Sequence, residues 1–221
     1  MDNKKKAVLV GASGLIGSSL LPMLLEDVSY EQVVIFVRKK LDIQHPKLIQ
    51  KEIDFSKIIH QAGVVENFDV AFCCLGTTMK SVKGNKVAFY EVDYTYCARF
   101  ADLCEKCGIH HFLIVTAMGA DEKSMFYYNR VKGQLEHFIK KLVFDTVYIF
   151  RPSLLLGNRK EKRTGEDWGK SFLNWFDFAV PNKYKGIEAA LVAKAMHLAA
   201  QNEKKGFFVV ESEAIKQTTH L

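Results

Sequence analysis

A tyrosine and a lysine, Tyr128 and Lys132, stand one helical turn apart in a stretch with helical periodicity. Side chains at positions i and i+4 share a helix face, so the lysine ammonium can lie near the phenol and stabilise its ionised form. A phenol with an ordinary pKa of about 10 exchanges protons efficiently only when that pKa moves toward the working pH, and an adjacent cation supplies such a shift. The pair therefore indicates acid–base chemistry, although tyrosine and lysine also share exposed helix faces by chance.

The order of elements around this pair strengthens the acid–base interpretation. The apolar run 112–116 predicts a strand that ends in a hydroxyl residue, Thr116, and residues 125–142 predict the helix that carries Tyr128 and Lys132. Strand and helix therefore present a hydroxyl, a phenol and an ammonium in succession.

Three glycines at regular spacing follow the first predicted strand, residues 7–10. Gly11 lets the chain turn, Gly14 lets backbone amides approach a phosphate, and Gly17 lets the following helix, predicted over 15–25, pack close to the strand. The amides at that helix start form an anion site. The spacing is Gly-x-x-Gly-x-x-Gly rather than the strict Gly-x-Gly-x-x-Gly, so a glycine-softened turn remains the alternative. The position directly after an apolar strand favours a phosphate site.

Cations follow the second predicted strand, residues 33–37, where Arg38 and Lys39 begin a run of three basic residues. NAD enzymes usually place an acidic residue here for the ribose hydroxyls, whereas NADP enzymes place cations for the 2′-phosphate. Because this position holds no acid, the sequence favours NADP(H) over NAD. A solvated strand end is the alternative interpretation.

Further strands are predicted over 48–54, 68–76, 147–150 and 206–210, with helices over 87–107 and 187–200. Strands that alternate with helices predict an α/β fold with a doubly wound, mainly parallel Rossmann sheet and a short C-terminal helical and strand extension. We expect one domain over 1–221, with 158–221 as the substrate-side extension. The aromatic residues between 168 and 178 are either a substrate lid or a cap on the sheet.

The amino-acid composition indicates which classes of partner and which compartment to expect. The net charge of +6 comes from dispersed basic residues without a nucleic-acid-binding motif, so an anionic cofactor or substrate explains it and nucleic acid is not expected. The five cysteines, an odd count, indicate a reducing compartment rather than a disulfide framework, and Cys97, Cys104 and Cys107 are expected in the core rather than on a metal. No apolar run is long enough to cross a bilayer, so the protein is expected to be cytoplasmic, without a membrane partner.

Several motifs together resemble the atypical short-chain dehydrogenase/reductases, and among them the HIV Tat-interacting protein family, over nearly the whole chain. The motifs are the three glycines, Arg38-Lys39, Cys-Cys-Leu-Gly-Thr-Thr at 73–78, Gly-Ala-Asp at 119–121, Tyr-x-x-x-Lys-Gly at 128–133 and Arg-Pro-x-x-Leu-x-Gly at 151–157. The resemblance implies a Rossmann fold with bound NADP(H), and a protein partner is compatible with it.

The resemblance also implies a role for each matching residue. The pyrophosphate would be bound by Ser13, Gly14, Leu15 and Ile16, and the 2′-phosphate by Arg38 and Lys39. The adenosine side would be contacted by Leu75 and Gly76, and the nicotinamide ribose by Tyr128 and Lys132. Neighbouring cofactor contacts would be made by Leu155 and Arg163.

In the superfamily mechanism, tyrosine is the acid or base at the carbonyl oxygen, lysine lowers its pKa, and a serine hydroxyl polarises the carbonyl. This chain has Thr116-Ala117 where the family usually carries a serine pair, so Thr116 is the provisional polariser. Two functions follow: hydride transfer between NADPH and a small carbonyl or alcohol, or a non-catalytic NADPH sensor acting through a protein partner.

Overall fold

The computed structural model describes residues 4–156 and 186–218 of the chain. Within these residues the strands are β1 Lys5–Val10, β2 Tyr30–Val37, β3 Leu48–Glu52, β4 Val70–Cys73, β5 His111–Val115, β6 Thr146–Arg151, β7 Leu155–Leu156, β8 Ile187–Glu188 and β9 Gly206–Glu211. The α-helices are α1 Leu15–Glu26, α2 Lys86–Tyr90, α3 Cys97–Lys106, α4 Tyr127–Ile139, α5 Ala189–Ala199 and α6 Ser212–Thr218. A 3₁₀ helix spans Phe55–Val64, and a π-helical segment, Glu91–Tyr96, joins α2 to α3.

Seven strands form one sheet in the order β3-β2-β1-β4-β5-β6-β9, and every neighbouring pair is parallel. This order places the crossover between the two halves of the sheet beside β1, so the predicted doubly wound Rossmann fold is confirmed. A second sheet pairs β7 with β8. The C-terminal extension returns to the main sheet, because β9 pairs with β6 along its whole length.

Both faces of the sheet are covered, as the continuous apolar strands predict for parallel sheets. In β1, Ala7 and Leu9 point into a core shared with α1 and α5, whereas Val8 and Val10 point into a second core shared with α3 and α4. Successive side chains of a strand alternate between faces, so one apolar run fills two cores.

Among the element boundaries that differ from those predicted, three lie near the predicted site residues. β4 ends at Cys73 instead of reaching Gly76, and beyond it the amide of Thr77 donates to the Asp93 carboxylate. The predicted helix 87–107 is interrupted by the π-helical segment, and it ends as expected before Gly108, whose φ is +71°. α4 begins at Tyr127 instead of residue 125 because Phe126 has extended backbone angles.

No helix within 4–156 and 186–218 combines the length and apolar character that crossing a membrane requires. The aromatic residues between 168 and 178, for which the sequence leaves two interpretations, lie outside the described residues.

Candidate functional site

The predicted site residues converge at the carboxyl edge of the sheet. The glycine loop follows β1, Arg38 and Lys39 follow β2, Leu75 and Gly76 follow β4, and Thr116 follows β5. Because these strands are parallel and adjacent, their carboxyl ends meet at one edge, where doubly wound folds bind ligands.

The glycine loop is packed so tightly that side chains are excluded. Gly11 has a φ of +82°, and a Cβ there would collide with the Cys74 carbonyl and the Leu75 amide. A Cβ on Gly17 would collide with the Gly11 carbonyl. Two of the three glycines therefore let the loop lie against the segment after β4 and let α1 approach the loop.

The start of α1 leaves its backbone amides available to an anion. Gly14 is the N-cap, and no side chain of the described residues caps the helix. Its first turn contains Leu15 and Ile16, without an acidic residue, and Ser13 and Gly14 are exposed beside it. Uncapped amides at the positive end of a helix dipole fit a phosphate group, so the loop is suited to the pyrophosphate of a dinucleotide.

Arg38 and Lys39 are exposed beyond β2, and neither forms an ion pair with any residue of 4–156 or 186–218. The neighbouring acid, Glu52, accepts the backbone amide of Lys40, at 3.4 Å. Exposed cations at this edge are available to an anionic group.

A buried ion pair that no sequence motif predicts lies beside the Gly76 segment. Asp93 Oδ1 is 2.7 Å from Lys132 Nζ, and both side chains are at most 3% exposed. Asp93 Oδ2 accepts the amide of Thr77 at 2.8 Å, and a Cβ built on Gly76 would lie 3.8 Å from Lys132 Nζ. The π-helical segment carries Asp93 into this position. The spacing of Asp93 could have predicted its burial, because it lies four residues after Phe89 and four before Cys97, on the buried face of the helix.

Charge on Lys132 is retained despite its burial. Burial disfavours the ammonium, but the Asp93 carboxylate outweighs this effect and raises the pKa of Lys132 above its ordinary value. The side chain is therefore a fixed cation whose charge is already largely balanced by Asp93.

Tyr128 lies one turn away on α4, half-buried, with its ring 5.5 Å from the ring of Phe89. Burial raises the pKa of Tyr128; Lys132 acts in the opposite direction, and Asp93 adds to the increase. The expected net decrease is wrong, because helix spacing predicts the proximity of the cation but not the burial of the phenol or the carboxylate beside the lysine. In this structure the phenol stays protonated at neutral pH.

Thr116 does not offer its hydroxyl to the site. The side chain is buried, and its Oγ1 donates to Glu136 Oε1 at 2.6 Å. Arg151 Nε donates to the same carboxylate oxygen at 3.0 Å, and Arg151 also pairs with Glu211. The provisional assignment of Thr116 as carbonyl polariser is therefore wrong. Its hydroxyl donates to Glu136 in a hydrogen-bond network that joins β5, α4 and β6.

The remaining two predicted cofactor residues are Leu155 and Arg163. Leu155 lies in β7, paired with Ile187 and packed against the core on the α1 side of the sheet. Arg163 lies outside the described residues.

This chain is similar to known proteins in both sequence and fold. The sequence model of the NAD(P)H-binding family matches residues 11–172. Protein HTATIP2 of Rattus norvegicus is 37% identical over 199 residues, covering 89% of this chain and 81% of the relative.

A relative from a yeast corrects one expectation. The mitochondrial protein FMP52 of Debaryomyces hansenii is 30% identical over 227 residues and 97% of both chains. Several further yeast relatives are also named mitochondrial, which contradicts the expected cytoplasmic location. That expectation was wrong because free cysteines and short apolar runs do not distinguish one reducing compartment from another.

Solved structures share the fold at low identity. MoeE5 in complex with UDP-glucuronic acid and NAD has a TM-score of 0.71 at 16% identity, over 93% of this chain and 75% of that one. The UDP-glucose 4-epimerase of Thermotoga maritima has a TM-score of 0.68 at 14% identity, over 97% and 82%. This chain belongs to the NAD(P)H-binding family, has HTATIP2 and FMP52 among its relatives, and has the fold of the short-chain dehydrogenase/reductases.

Proposed function

We propose that the protein is an NADPH-dependent reductase of small carbonyl compounds. NADPH supplies a hydride to the carbonyl carbon when it is bound, and the Tyr128 phenol donates the proton to the carbonyl oxygen, so that an alcohol and NADP⁺ leave. The proposal rests on one observation above all: the Lys132 ammonium is buried, fixed by Asp93 at 2.7 Å, and placed beside Gly76 on the helix that carries Tyr128 one turn earlier.

The protonation state of Tyr128 supports reduction rather than oxidation. A proton donor must hold its proton at the working pH, and the Tyr128 phenol does so; because its raised pKa also makes it a weak acid, proton transfer depends on stabilisation of the phenolate by Lys132. Lys132 then serves two purposes: its ammonium donates hydrogen bonds to the nicotinamide ribose, and it stabilises the phenolate that remains after the proton leaves. Asp93 holds the ammonium in place for both.

Arg38 and Lys39 support the choice of NADPH over NADH. Both are exposed at the carboxyl end of β2, which is the position where a 2′-phosphate distinguishes the two dinucleotides. A guanidinium can bind a phosphate through two parallel hydrogen bonds, and the neighbouring ammonium adds a second positive charge.

Turnover of NADPH with a panel of aldehydes and ketones tests the proposal, with absorbance of the reduced nicotinamide as the readout. Tyr128→Phe removes the phenolic proton and is expected to reduce turnover by about a hundredfold or more while NADPH binding persists. Tyr127→Phe is the matched control, because that neighbouring hydroxyl donates to the Lys86 carbonyl instead. Equal turnover in Tyr128→Phe and the wild type would contradict the proposal.

A second candidate function is an NADPH sensor that acts through a protein partner. The observation in its favour is that the Thr116 hydroxyl is taken by Glu136 and the next residue is Ala117, so the usual polarising hydroxyl is missing from both positions. The test is the dissociation constant of a partner measured with and without NADPH. An unchanged constant would exclude sensing, and absence of turnover with NADPH-dependent partner affinity would establish it.

A further inference from the structure

The hydroxyl that would polarise a substrate carbonyl is missing from both positions after β5. Thr116 is buried and donates its Oγ1 to Glu136 at 2.6 Å, and the next residue is Ala117. Negative charge develops on the carbonyl oxygen during reduction, and a second fixed donor on that oxygen stabilises the transition state. A donor for a reduction that uses Tyr128 therefore has to come from another segment of the site.

The backbone that follows β4 is fixed on both sides. A Cβ on Gly11 would collide with the Cys74 carbonyl, so the glycine loop packs directly against the start of this segment. Farther along, the Thr77 amide donates to Asp93 Oδ2 at 2.8 Å, and Asp93 Oδ1 lies 2.7 Å from Lys132 Nζ. One carboxylate therefore positions both the backbone of Thr77 and the ammonium of Lys132.

Two consecutive threonines in this segment, Thr77 and Thr78, differ in what their hydroxyls contact. Thr78 Oγ1 lies 2.8 Å from Ser81 Oγ and accepts the Ser81 amide at 3.0 Å, so this hydroxyl is used within the loop. The Thr77 hydroxyl forms no hydrogen bond with any residue of 4–156 or 186–218, although Thr77 is half-buried and its amide is held by Asp93. A half-buried hydroxyl on a fixed backbone is available to a group that enters the site.

The Lys132 ammonium connects Thr77 with the acid–base group. A Cβ on Gly76 would lie 3.8 Å from Lys132 Nζ, so the residue directly before Thr77 lies against the ammonium. On α4, Tyr128 precedes Lys132 by one helical turn. The residue before Thr77 and the helical turn after Tyr128 thus meet at the charge that is proposed to hold the nicotinamide ribose.

On the basis of the proposed reductase function, we propose that the Thr77 hydroxyl is the second donor to the carbonyl oxygen of the substrate. As the hydride reaches the carbonyl carbon and Tyr128 releases its phenolic proton to the oxygen, Thr77 keeps its own proton and donates a hydrogen bond to the same oxygen. Because its backbone is fixed by Asp93, the donor stabilises the developing charge with little reorganisation. Thr77 thereby performs the role for which the Thr116 hydroxyl, bonded to Glu136, is not available.

Thr77→Val, which replaces the hydroxyl by a methyl group of similar size, tests this role in the NADPH turnover assay. Loss of one preorganised donor is expected to lower kcat about a hundredfold. The Tm and the dissociation constant of NADPH should stay at their wild-type values, because the Thr77 hydroxyl has no hydrogen bond to lose within the described residues. Thr77→Ser retains the hydroxyl and should keep kcat within about threefold of the wild type.

Thr78→Val is the matched control, because it makes the same change in a hydroxyl that Ser81 already uses. It should keep kcat within about threefold of the wild type. If the wild type and Tyr128→Phe behave as proposed but Thr77→Val retains wild-type kcat, or Thr77→Ser loses as much as Thr77→Val, the role of Thr77 alone is overturned. If the wild type reduces no carbonyl compound, the reductase function fails and the role of Thr77 fails with it.

Infrared spectroscopy measures the polarisation of the carbonyl without turnover. The aldehyde of the panel with the highest kcat, labelled with ¹³C at its carbonyl carbon, is bound together with NADP⁺, which has no hydride to donate. A hydrogen bond to the oxygen weakens the carbonyl double bond, so the carbonyl stretch should move to higher wavenumber in Thr77→Val and stay unchanged in Thr78→Val. An identical stretch in the wild type and Thr77→Val would overturn the proposal.

Discussion

Replacing Asp93 by asparagine tests the buried ion pair that organises the site. Asparagine keeps the shape of the side chain and an oxygen for the Thr77 amide, but it removes the charge that balances Lys132. Loss of one partner from a buried pair leaves the other charge uncompensated and costs about 3 to 5 kcal/mol in free energy of unfolding. Since the hydrogen bond to Thr77 is retained, we expect about 3 kcal/mol for Asp93→Asn.

Urea denaturation measures this loss of stability, and a variant of an exposed Asp–Lys pair provides the comparison. Asp102 and Lys106 also lie 2.8 Å apart, but their side chains are 28% and 59% exposed. Asp102→Asn is therefore expected to cost about 0.5 kcal/mol or less. For a chain of this length, about 3 kcal/mol corresponds to a decrease in Tm of about 6 to 12 °C.

The pH dependence of the free energy of unfolding is expected to differ between the wild type and Asp93→Asn. In the wild type the raised pKa of Lys132 adds stability that is constant below the ordinary lysine pKa of about 10.4 and is lost only above it. In Asp93→Asn, burial is no longer opposed, so the pKa of Lys132 falls below that value. The unfolded chain then binds more protons, and stability rises with pH by up to about 1.4 kcal/mol per unit below pH 10.4.

A double variant tests whether the unpaired Lys132 charge causes the loss of stability in Asp93→Asn. Asp93→Asn/Lys132→Met removes both charges and is expected to be more stable than Asp93→Asn, because no unpaired ammonium remains buried. The reasoning is refuted if Asp93→Asn loses no more stability than Asp102→Asn, or if its stability does not rise with pH.

Three further predictions concern the cofactor edge and the core. Arg38→Ala/Lys39→Ala is expected to raise the dissociation constant of NADPH about tenfold to a hundredfold in fluorescence titrations while leaving that of NADH unchanged, because only NADPH has the 2′-phosphate; an equal effect on both would contradict the assignment. Gly17→Ala is expected to cost about 1 to 3 kcal/mol in thermal unfolding, since its Cβ would meet the Gly11 carbonyl, whereas Gly63→Ala has open space and is the control. Burial, with a contribution from the charge of Lys5, lowers the pKa of His111 to about 4, so wild-type stability should fall as pH decreases from about 6.5 to about 4. His111→Phe should lessen this fall in acid denaturation, and an unchanged profile would exclude His111 as its source.

The fold and the position of the glycine loop at the sheet edge could be predicted because their determinants are local in sequence. An apolar run buried on both faces specifies a parallel strand, and the turn at Gly11 admits only a residue without a side chain. The cations after β2 follow from the same reasoning, since the end of a strand fixes the edge of the sheet at which they lie.

The surroundings of Tyr128, Lys132 and Thr116 depend on contacts between distant segments. Asp93 meets Lys132 only because a π-helical segment turns it inward, and no local pattern specifies that segment. The pKa of Tyr128 depends on burial more than on the lysine one turn away, and the direction of the Thr116 hydroxyl depends on Glu136, 20 positions later. Residue spacing within one helix therefore predicted which groups are close, but not their charge balance or their partners.

Transfer of deuterium from 4-deuterated NADPH to a carbonyl substrate tests the proposed reduction most directly. Mass spectrometry of the alcohol should find deuterium on the former carbonyl carbon for the wild type. The Tyr128→Phe variant should bind NADPH with wild-type affinity and transfer far less. If the wild type binds NADPH but transfers no deuterium to any compound of the carbonyl panel, the proposed reductase function is contradicted.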